Sequence, residues 1–119
     1  MMHTIEKPKI NKNALNYIYL LANAVDKNNV LDQIELKPLD QKSFYGKAMV
    51  IEADPYDPLY TNIKYLLKSY DTIVAFITTD DEFYITGKYS PTTTKHQRSF
   101  AYYYAGLDIP AKKLVNYQI

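Results

Sequence analysis

Residues 72–78 read TIVAFIT, a short and continuous apolar run that is followed by the turn-forming segment TTDDE (78–82). Such a run is typical of a strand in the middle of a sheet. No apolar run in the chain approaches the ~20 residues that cross a membrane as a helix. The next segment, FYITGKY (83–89), also has strand composition, so the two segments predict a β-hairpin. We therefore expect a fold built around a β-sheet.

Further strands are predicted ahead of the hairpin, so that residues 30–89 consist mainly of strands. The segments are VLDQIEL (30–36), SFYGKAMVIEA (43–53) and IKYLL (63–67). Gly46 marks an expected bulge or point of close approach. Two Asp-Pro steps in DPYDPLY (54–60) indicate a loop between the second and third of these segments.

Two helices are predicted, one on each side of the strand region. Ser90 supplies a capping hydroxyl, Pro91 suits the first helical position, and Gly106 suits the left-handed residue that ends a helix. These signals predict a helix over 91–105. Apolar residues recur at helical spacing from Ala14 to Val25 and predict a second helix over 12–28.

The 119 residues fit one domain, 1–119, of the α+β class. Its expected core is a small, mostly antiparallel curled sheet or pseudo-barrel, with one N-terminal helix and one helix near the C-terminus. Residues 1–10 are expected to form a flexible arm, and residues 109–119 a tail strand. The N-terminus lacks the apolar core of a signal peptide, which favours a cytoplasmic protein.

Catalysis and metal binding have little support in the sequence, so we expect no enzyme, no cofactor and no metal site. The chain has no cysteine, three glycines and two histidines, and it lacks a phosphate-binding glycine loop. One acidic pair, in 54–57, and one acidic triplet, at 80–82, fall in expected loops. Such residues occur in solvated turns as well as in magnesium sites. A metal-dependent nuclease is the enzymatic alternative.

The predicted helix after Ser90 carries the strongest candidate surface. At 100° per residue, one side presents His96, Phe100, Tyr103 and Tyr104 to the sheet, and the other exposes Lys95, Arg98 and Tyr102. His96 is expected to be a buried structural histidine rather than a ligand or base. The first turn holds Thr92, Thr93 and Thr94.

Together with Lys95 and Arg98, the three threonines form a candidate anion site at the positive end of the helix. In the alternative interpretation, the threonines only satisfy the backbone of their own helix end.

A second candidate surface lies on the strands, where cations alternate with tyrosines. Its residues are Lys47, Lys64, Tyr65, Lys68, Lys88 and Tyr89. A basic strand face with neighbouring tyrosines resembles a platform for single-stranded nucleic acid. Solvated lysines on an exposed sheet are the alternative, and the 13 tyrosines can equally line a small β-rich core. The net charge of +1 gives no general preference for nucleic acid.

Three segments resemble a known pattern: KSFYGKA (42–48), LLKSYDTIVAFI (66–77) and YSPTTTKHQRSF (89–100). In this order they are similar to a family of short proteins carried by phages and conjugative plasmids of Gram-positive bacteria, among them the PrgU regulator of enterococcal pheromone-responsive plasmids. The resemblance implies a PUA-like pseudo-barrel and a fold associated with RNA binding. It also implies restraint of conjugation and surface-adhesin genes through their transcripts.

The sequence is therefore interpreted as a non-enzymatic, cytoplasmic RNA-binding regulator from a mobile element. Lys95, Arg98 and the threonine turn would contact phosphates, and Tyr65, Tyr89 or Tyr102 would stack on unpaired bases. The alternative is a protein–protein inhibitor of a host defence or transcription protein, with the acidic loops and tyrosines as its contact surface.

Overall fold

The computed structural model describes residues 33–52 and 63–119. Five strands are present there: β1 (Gln33–Glu35), β2 (Ala48–Glu52), β3 (Ile63–Ser69), β4 (Thr72–Thr78) and β5 (Phe83–Ile85). They are followed by one α-helix, α1 (Pro91–Ala105), and a 3₁₀ helix (Ala111–Tyr117). The expected arm (1–10), N-terminal helix (12–28) and loop (54–60) lie outside the described residues.

The five strands form one antiparallel sheet in the order β1-β2-β3-β4-β5, each strand pairing with its neighbours in sequence. The α+β class is confirmed. Within the described part of the chain, β1 and β5 are the two edges and do not pair with each other, so these strands make an open sheet. The closed, PUA-like form stays a prediction.

Strand β4 is an interior strand, as its continuous apolar sequence indicates. Residues 73–77 are buried without interruption, so both faces of this strand are covered. The predicted hairpin with β5 is also confirmed, with Ala75, Phe76 and Ile77 opposite Ile85, Tyr84 and Phe83. Its turn is closed by the amide of Thr78, which donates to the carbonyl of Glu82 at 2.9 Å.

The strand predicted over 43–53 begins later, at Ala48, because residues 44–47 form a turn. Tyr45 and Gly46 both adopt positive φ, at 55° and 76°. The amide of Gly46 donates to the carboxylate of Glu35 at 3.0 Å, which ties this turn to the edge strand β1. Gly46 is therefore a turn residue, and the expected bulge within a strand is wrong.

Helix α1 has the predicted boundaries and lies on one face of the sheet. The Ser90 hydroxyl accepts from the amide of Thr93 at 3.2 Å, and Gly106 ends the helix in the left-handed conformation with φ 68°. Phe100 is fully buried against Phe83 of the sheet and stacks on Tyr104. The expected burial of Tyr103 is wrong: it is 40% exposed, and its ring faces Lys37.

The tail prediction is wrong as well, because residues 111–117 form a 3₁₀ helix instead of a strand. Leu114 packs into the core, whereas Val115 is exposed. Only one isolated bridge joins the tail to the sheet, between Ile85 and Gln118. The edge strand β5 is three residues long, which leaves little backbone for another strand to pair with.

Candidate functional site

A groove of about 750 Å³ lies between the first turns of α1 and the 3₁₀ helix, with the end of β5 at its base. We call it the cationic groove. Its lining residues are Ile85, Lys88, Tyr89, Pro91, Thr94, Lys95, Gln97, Arg98, Ala111, Lys112, Leu114 and Val115. The volume is in the range of ordinary ligand sites.

Positive charge and apolar surface are combined in this groove. Lys88, Lys95, Arg98 and Lys112 supply four cations, and none of the described residues that line it is Asp or Glu. Ile85, Leu114 and Val115 supply aliphatic surface, and Tyr89 supplies an aromatic ring. The groove therefore suits an anion that also carries an apolar or aromatic part.

Arg98 is held in place by the segment after the helix. Its Nε donates to the carbonyl of Ile109 at 2.8 Å, and one terminal nitrogen lies 3.9 Å from the Asp108 carboxylate. That carboxylate is largely exposed, and 3.9 Å is beyond hydrogen-bond length. No hydrogen bond of the terminal nitrogens is found within residues 33–52 and 63–119, so they can still donate into the groove.

The loop that carries Lys88 and Tyr89 is fixed from below by Gln97. The buried Gln97 amide donates to the carbonyls of Val74 at 3.0 Å and Gly87 at 3.1 Å. The Tyr89 hydroxyl is 2.7 Å from the Thr86 hydroxyl. One side of the groove is thus positioned by hydrogen bonds to β4 and to the β5–α1 loop, which limits the reorganisation that binding would require.

The threonine turn differs from the predicted anion site. Thr93 is buried, its amide donates to Ser90, and its hydroxyl is 3.0 Å from the Ser69 hydroxyl. Thr94 lines the groove, but its amide and hydroxyl both donate to the Ser90 carbonyl. Thr92 is exposed and does not line the groove. Thr93 was expected to be available to a phosphate, and this expectation is wrong. Its amide and hydroxyl already pair with Ser90 and Ser69 within the protein.

Beneath the start of α1, His96 joins the helix to the sheet. Its Nδ1 is 2.7 Å from the Ser69 hydroxyl, and its ring packs edge-on against Phe44 at 4.5 Å between centroids. Burial lowers the pKa of His96 below its ordinary value of 6.5. The expected burial of His96 is confirmed.

The same cluster unites the three sequence segments that carry the family resemblance. Phe44 belongs to 42–48, Ser69 and Tyr70 belong to 66–77, and His96 belongs to 89–100. The Tyr70 ring lies 5.9 Å from the His96 ring, and the Tyr70 amide donates to the carbonyl of Lys47 at 2.8 Å. Residues far apart in the chain thus meet around one imidazole. Sequence reasoning noted the segments but did not find their contact.

The predicted strand platform does not form as an exposed surface. Tyr65 is half-buried and packs edge-on against Tyr104 of α1, at 5.0 Å between centroids. Lys64 pairs with Asp81 at 3.0 Å, an interaction that raises the pKa of Lys64. Leu66, which lies between Lys64 and the half-buried Lys68 on β3, is fully buried. This face of the strand is therefore not exposed along its length, as a platform for nucleic acid would have to be.

Of the twelve predicted site residues, five meet in the groove: Lys88, Tyr89, Thr94, Lys95 and Arg98. Lys112 was missed, because it follows the helix in a segment that was expected to be a strand. Lys47 and Tyr102 lie elsewhere: Lys47 is over the Tyr70 ring at 5.4 Å, and the exposed Tyr102 packs edge-on against Tyr103.

The acidic triplet at 80–82 has structural roles. Asp81 adopts a left-handed turn conformation with φ 63° and pairs with Lys64, while Glu82 accepts from the Tyr84 hydroxyl at 2.9 Å. Within the described ranges, no three His, Cys, Asp or Glu side chains gather as metal ligands would. The acidic pair at 54–57 lies outside those ranges. Among the described helices, none has the length and apolar character needed to span a membrane.

A family profile matches residues 34–116, which is most of the chain. The chain belongs to DUF8033, a family of unknown function. The matched region contains all of the sheet except its first residue, together with α1 and nearly all of the 3₁₀ helix, and therefore every residue that lines the groove. No curated protein and no solved structure matches the chain.

Proposed function

We propose that this DUF8033 protein binds single-stranded RNA in the cationic groove and acts without catalysis. The carrying observation is the set of four cations around an apolar and aromatic surface, with no Asp or Glu among the described residues that line it. Lys88, Lys95, Arg98 and Lys112 would contact phosphates, and Tyr89 would stack on a base.

Single-stranded RNA fits the groove better than a duplex does. Unpaired bases are free to enter an apolar site and stack on an aromatic ring, whereas bases in a duplex are stacked on each other. The positive charge is local, since the whole chain carries a net charge of only +1. We therefore expect moderate affinity that depends on salt through a small number of phosphate contacts.

The regulatory part of the proposal is supported by the resemblance of the three quoted segments. On that basis the protein is cytoplasmic, comes from a mobile element and restrains conjugation and surface-adhesin genes through their transcripts. Sequencing of RNA crosslinked to the protein in its own cells tests this part directly. Enrichment of conjugation or adhesin transcripts is the expected result, and crosslinking without transcript preference contradicts it.

The groove is tested by removing two of its exposed lysines in the double variant Lys95→Ala/Lys112→Ala. We expect about tenfold weaker binding to a labelled single-stranded RNA pool of about 16 nucleotides. The slope of log K against log salt concentration should flatten by about 1.4, since each lost contact with single-stranded nucleic acid contributes about 0.7. Fluorescence anisotropy over a salt series measures both quantities.

Lys42→Ala/Lys113→Ala is the matched control, because it also removes two exposed lysines that do not line the groove. Lys113 is the direct sequence neighbour of Lys112, and both double variants lose two positive charges. A difference between them therefore reports the position of the lysines and not the total charge. Arg98 is left intact because its side chain also holds the Ile109 carbonyl. Equal losses in the two double variants would remove the groove from the proposal.

A further inference from the structure

Two tyrosines outside the groove occupy turns in a backbone conformation that bulky residues rarely adopt. Tyr45 and Tyr70 both have φ 55°, in the left-handed region that favours glycine. Tyr45 is 73% exposed and Tyr70 is 47% exposed. Strained conformations of this kind often occur at binding sites, where the surrounding structure holds them.

The two turns are joined to each other and to the rest of the fold. The Tyr70 amide donates to the Lys47 carbonyl at 2.8 Å, and the Tyr45 amide donates to the Ser43 hydroxyl at 2.9 Å. The Tyr70 ring is backed by His96, at 5.9 Å between ring centroids. Both rings therefore project from backbone that hydrogen bonds hold in place. We call Tyr45, Lys47 and Tyr70 the tyrosine surface.

Charge near the tyrosine surface is mixed, unlike that of the groove. Lys47 lies over the Tyr70 ring at 5.4 Å, but the Glu35 carboxylate accepts from the neighbouring Gly46 amide and Asp71 follows Tyr70 in the chain. The two carboxylates weaken the attraction of Lys47 for phosphate. What this surface offers a ligand is the open ring of Tyr45, since the Tyr70 ring already has Lys47 over it and His96 beside it.

The tyrosine surface and the groove lie on opposite flanks of the start of α1. His96 faces Tyr70 on one flank, while Pro91, Thr94 and Lys95 line the groove on the other. The exposed Thr92 lies in the same turn, between these flanks. A helix is roughly 10–12 Å across with its side chains, a width that a strand of a few nucleotides crosses.

We propose that the tyrosine surface is a second contact for the same RNA strand, on which unpaired bases stack while the groove holds the phosphates. This inference rests on the proposed function. It adds a distinct property: stacking on Tyr45 contributes affinity that does not depend on salt, because stacking neutralises no phosphate.

A tryptophan reporter tests the contact directly. The chain contains no tryptophan, so Tyr45→Trp introduces a single tryptophan into the exposed turn, which can be excited selectively at wavelengths longer than those that tyrosine absorbs. We expect the random-sequence single-stranded RNA pool of about 16 nucleotides to quench this fluorescence, with a midpoint that matches the anisotropy titration. Binding seen by anisotropy without any change in the tryptophan emission overturns the inference.

The substitutions Tyr45→Ala and Tyr45→Phe separate stacking from other effects. Tyr45→Ala should weaken binding about tenfold with an unchanged salt slope, and Tyr45→Phe should bind like the unsubstituted protein. Because Tyr45 is the most exposed tyrosine among the described residues, its replacement leaves the core intact. A changed salt slope in Tyr45→Ala would show a phosphate contact and contradict the stacking proposal.

The groove variant Lys95→Ala/Lys112→Ala is measured in the same series, so that the two proposals fail differently. Loss of binding in that variant with normal binding by Tyr45→Ala overturns the tyrosine surface and leaves the groove. The reverse pattern overturns the groove and the joint contact with one strand, and leaves RNA stacking on Tyr45 alone. No binding by the unsubstituted protein, or no loss in either variant, overturns both.

Discussion

At the scale of single residues, His96 shows what the sequence can and cannot predict. Its position on the inner side of an amphipathic helix predicted burial, and the structure confirms it. Its contacts with Ser69 and Phe44 were not predictable, because they depend on the register of the strands and on where α1 packs on the sheet. Such contacts between distant segments leave no local sequence pattern.

Burial of His96 gives a prediction about pH. Folding favours the neutral imidazole, so the pKa of His96 is below 6.5 in the folded protein. As the pH falls below 6.5, the unfolded chain therefore binds more protons than the folded protein does. We expect the free energy of unfolding to be highest above pH 6.5 and to decrease on acidification, by at most about 1.4 kcal/mol per pH unit.

Urea denaturation between about pH 5 and pH 7 measures this decrease, in a window above the ordinary range of most carboxylates. The comparison uses His3→Gln and His3→Gln/His96→Gln, so that His96 is the only histidine that differs. At neutral pH the double variant should be less stable than His3→Gln. Its free energy of unfolding should also lose most of the dependence on pH. Parallel pH profiles of the two proteins would contradict a neutral buried His96.

At the scale of elements, α1 was predictable at both ends and the tail was not. The Ser90 hydroxyl, the Pro91 ring and the left-handed backbone of Gly106 act on residues within a few positions in the chain, so the helix signals are local. The tail has apolar residues suited to a strand, but only Leu114 among Leu114, Val115 and Tyr117 is fully buried. Whether it forms a strand depends on a sheet edge that the tail sequence does not contain.

The helix cap gives a prediction about stability. Ser90→Ala removes the hydroxyl that accepts from the Thr93 amide, and we expect a loss of about 1 kcal/mol in the free energy of unfolding. Thr92→Ala is the control, because Thr92 is exposed in the same first turn and its replacement should change stability by less than about 0.5 kcal/mol. Chemical denaturation compares the two. Equal effects would show that the cap contributes nothing specific.

At the scale of the whole molecule, the sheet and α1 stabilise each other through one shared core. Phe100 is fully buried between the ring of Phe83 on β5 and that of Tyr104 on its own helix. The apolar side of the helix predicted that α1 packs against the sheet. The groove was not predictable in the same way, since it needs the position of the 3₁₀ helix.

Removal of the Phe100 ring tests this packing. We expect Phe100→Ala to lower the free energy of unfolding by about 3–5 kcal/mol, a large part of the total for a domain of this size. Tyr102→Ala, an exposed aromatic residue two positions along the same helix, should cost far less. Thermal denaturation followed by circular dichroism measures both. A small effect of Phe100→Ala would mean that α1 does not depend on this core.

The groove is local in the chain, with its lining between residues 85 and 115, and this has a consequence for the family. Arg98 is partly buried and donates to the Ile109 carbonyl, whereas Lys88, Lys95 and Lys112 are exposed. A relative can therefore keep the sheet and exchange these charges at little cost in stability. Membership of the family therefore indicates the scaffold, whereas the charge of the groove depends on exposed lysines that can differ between relatives without a change of fold.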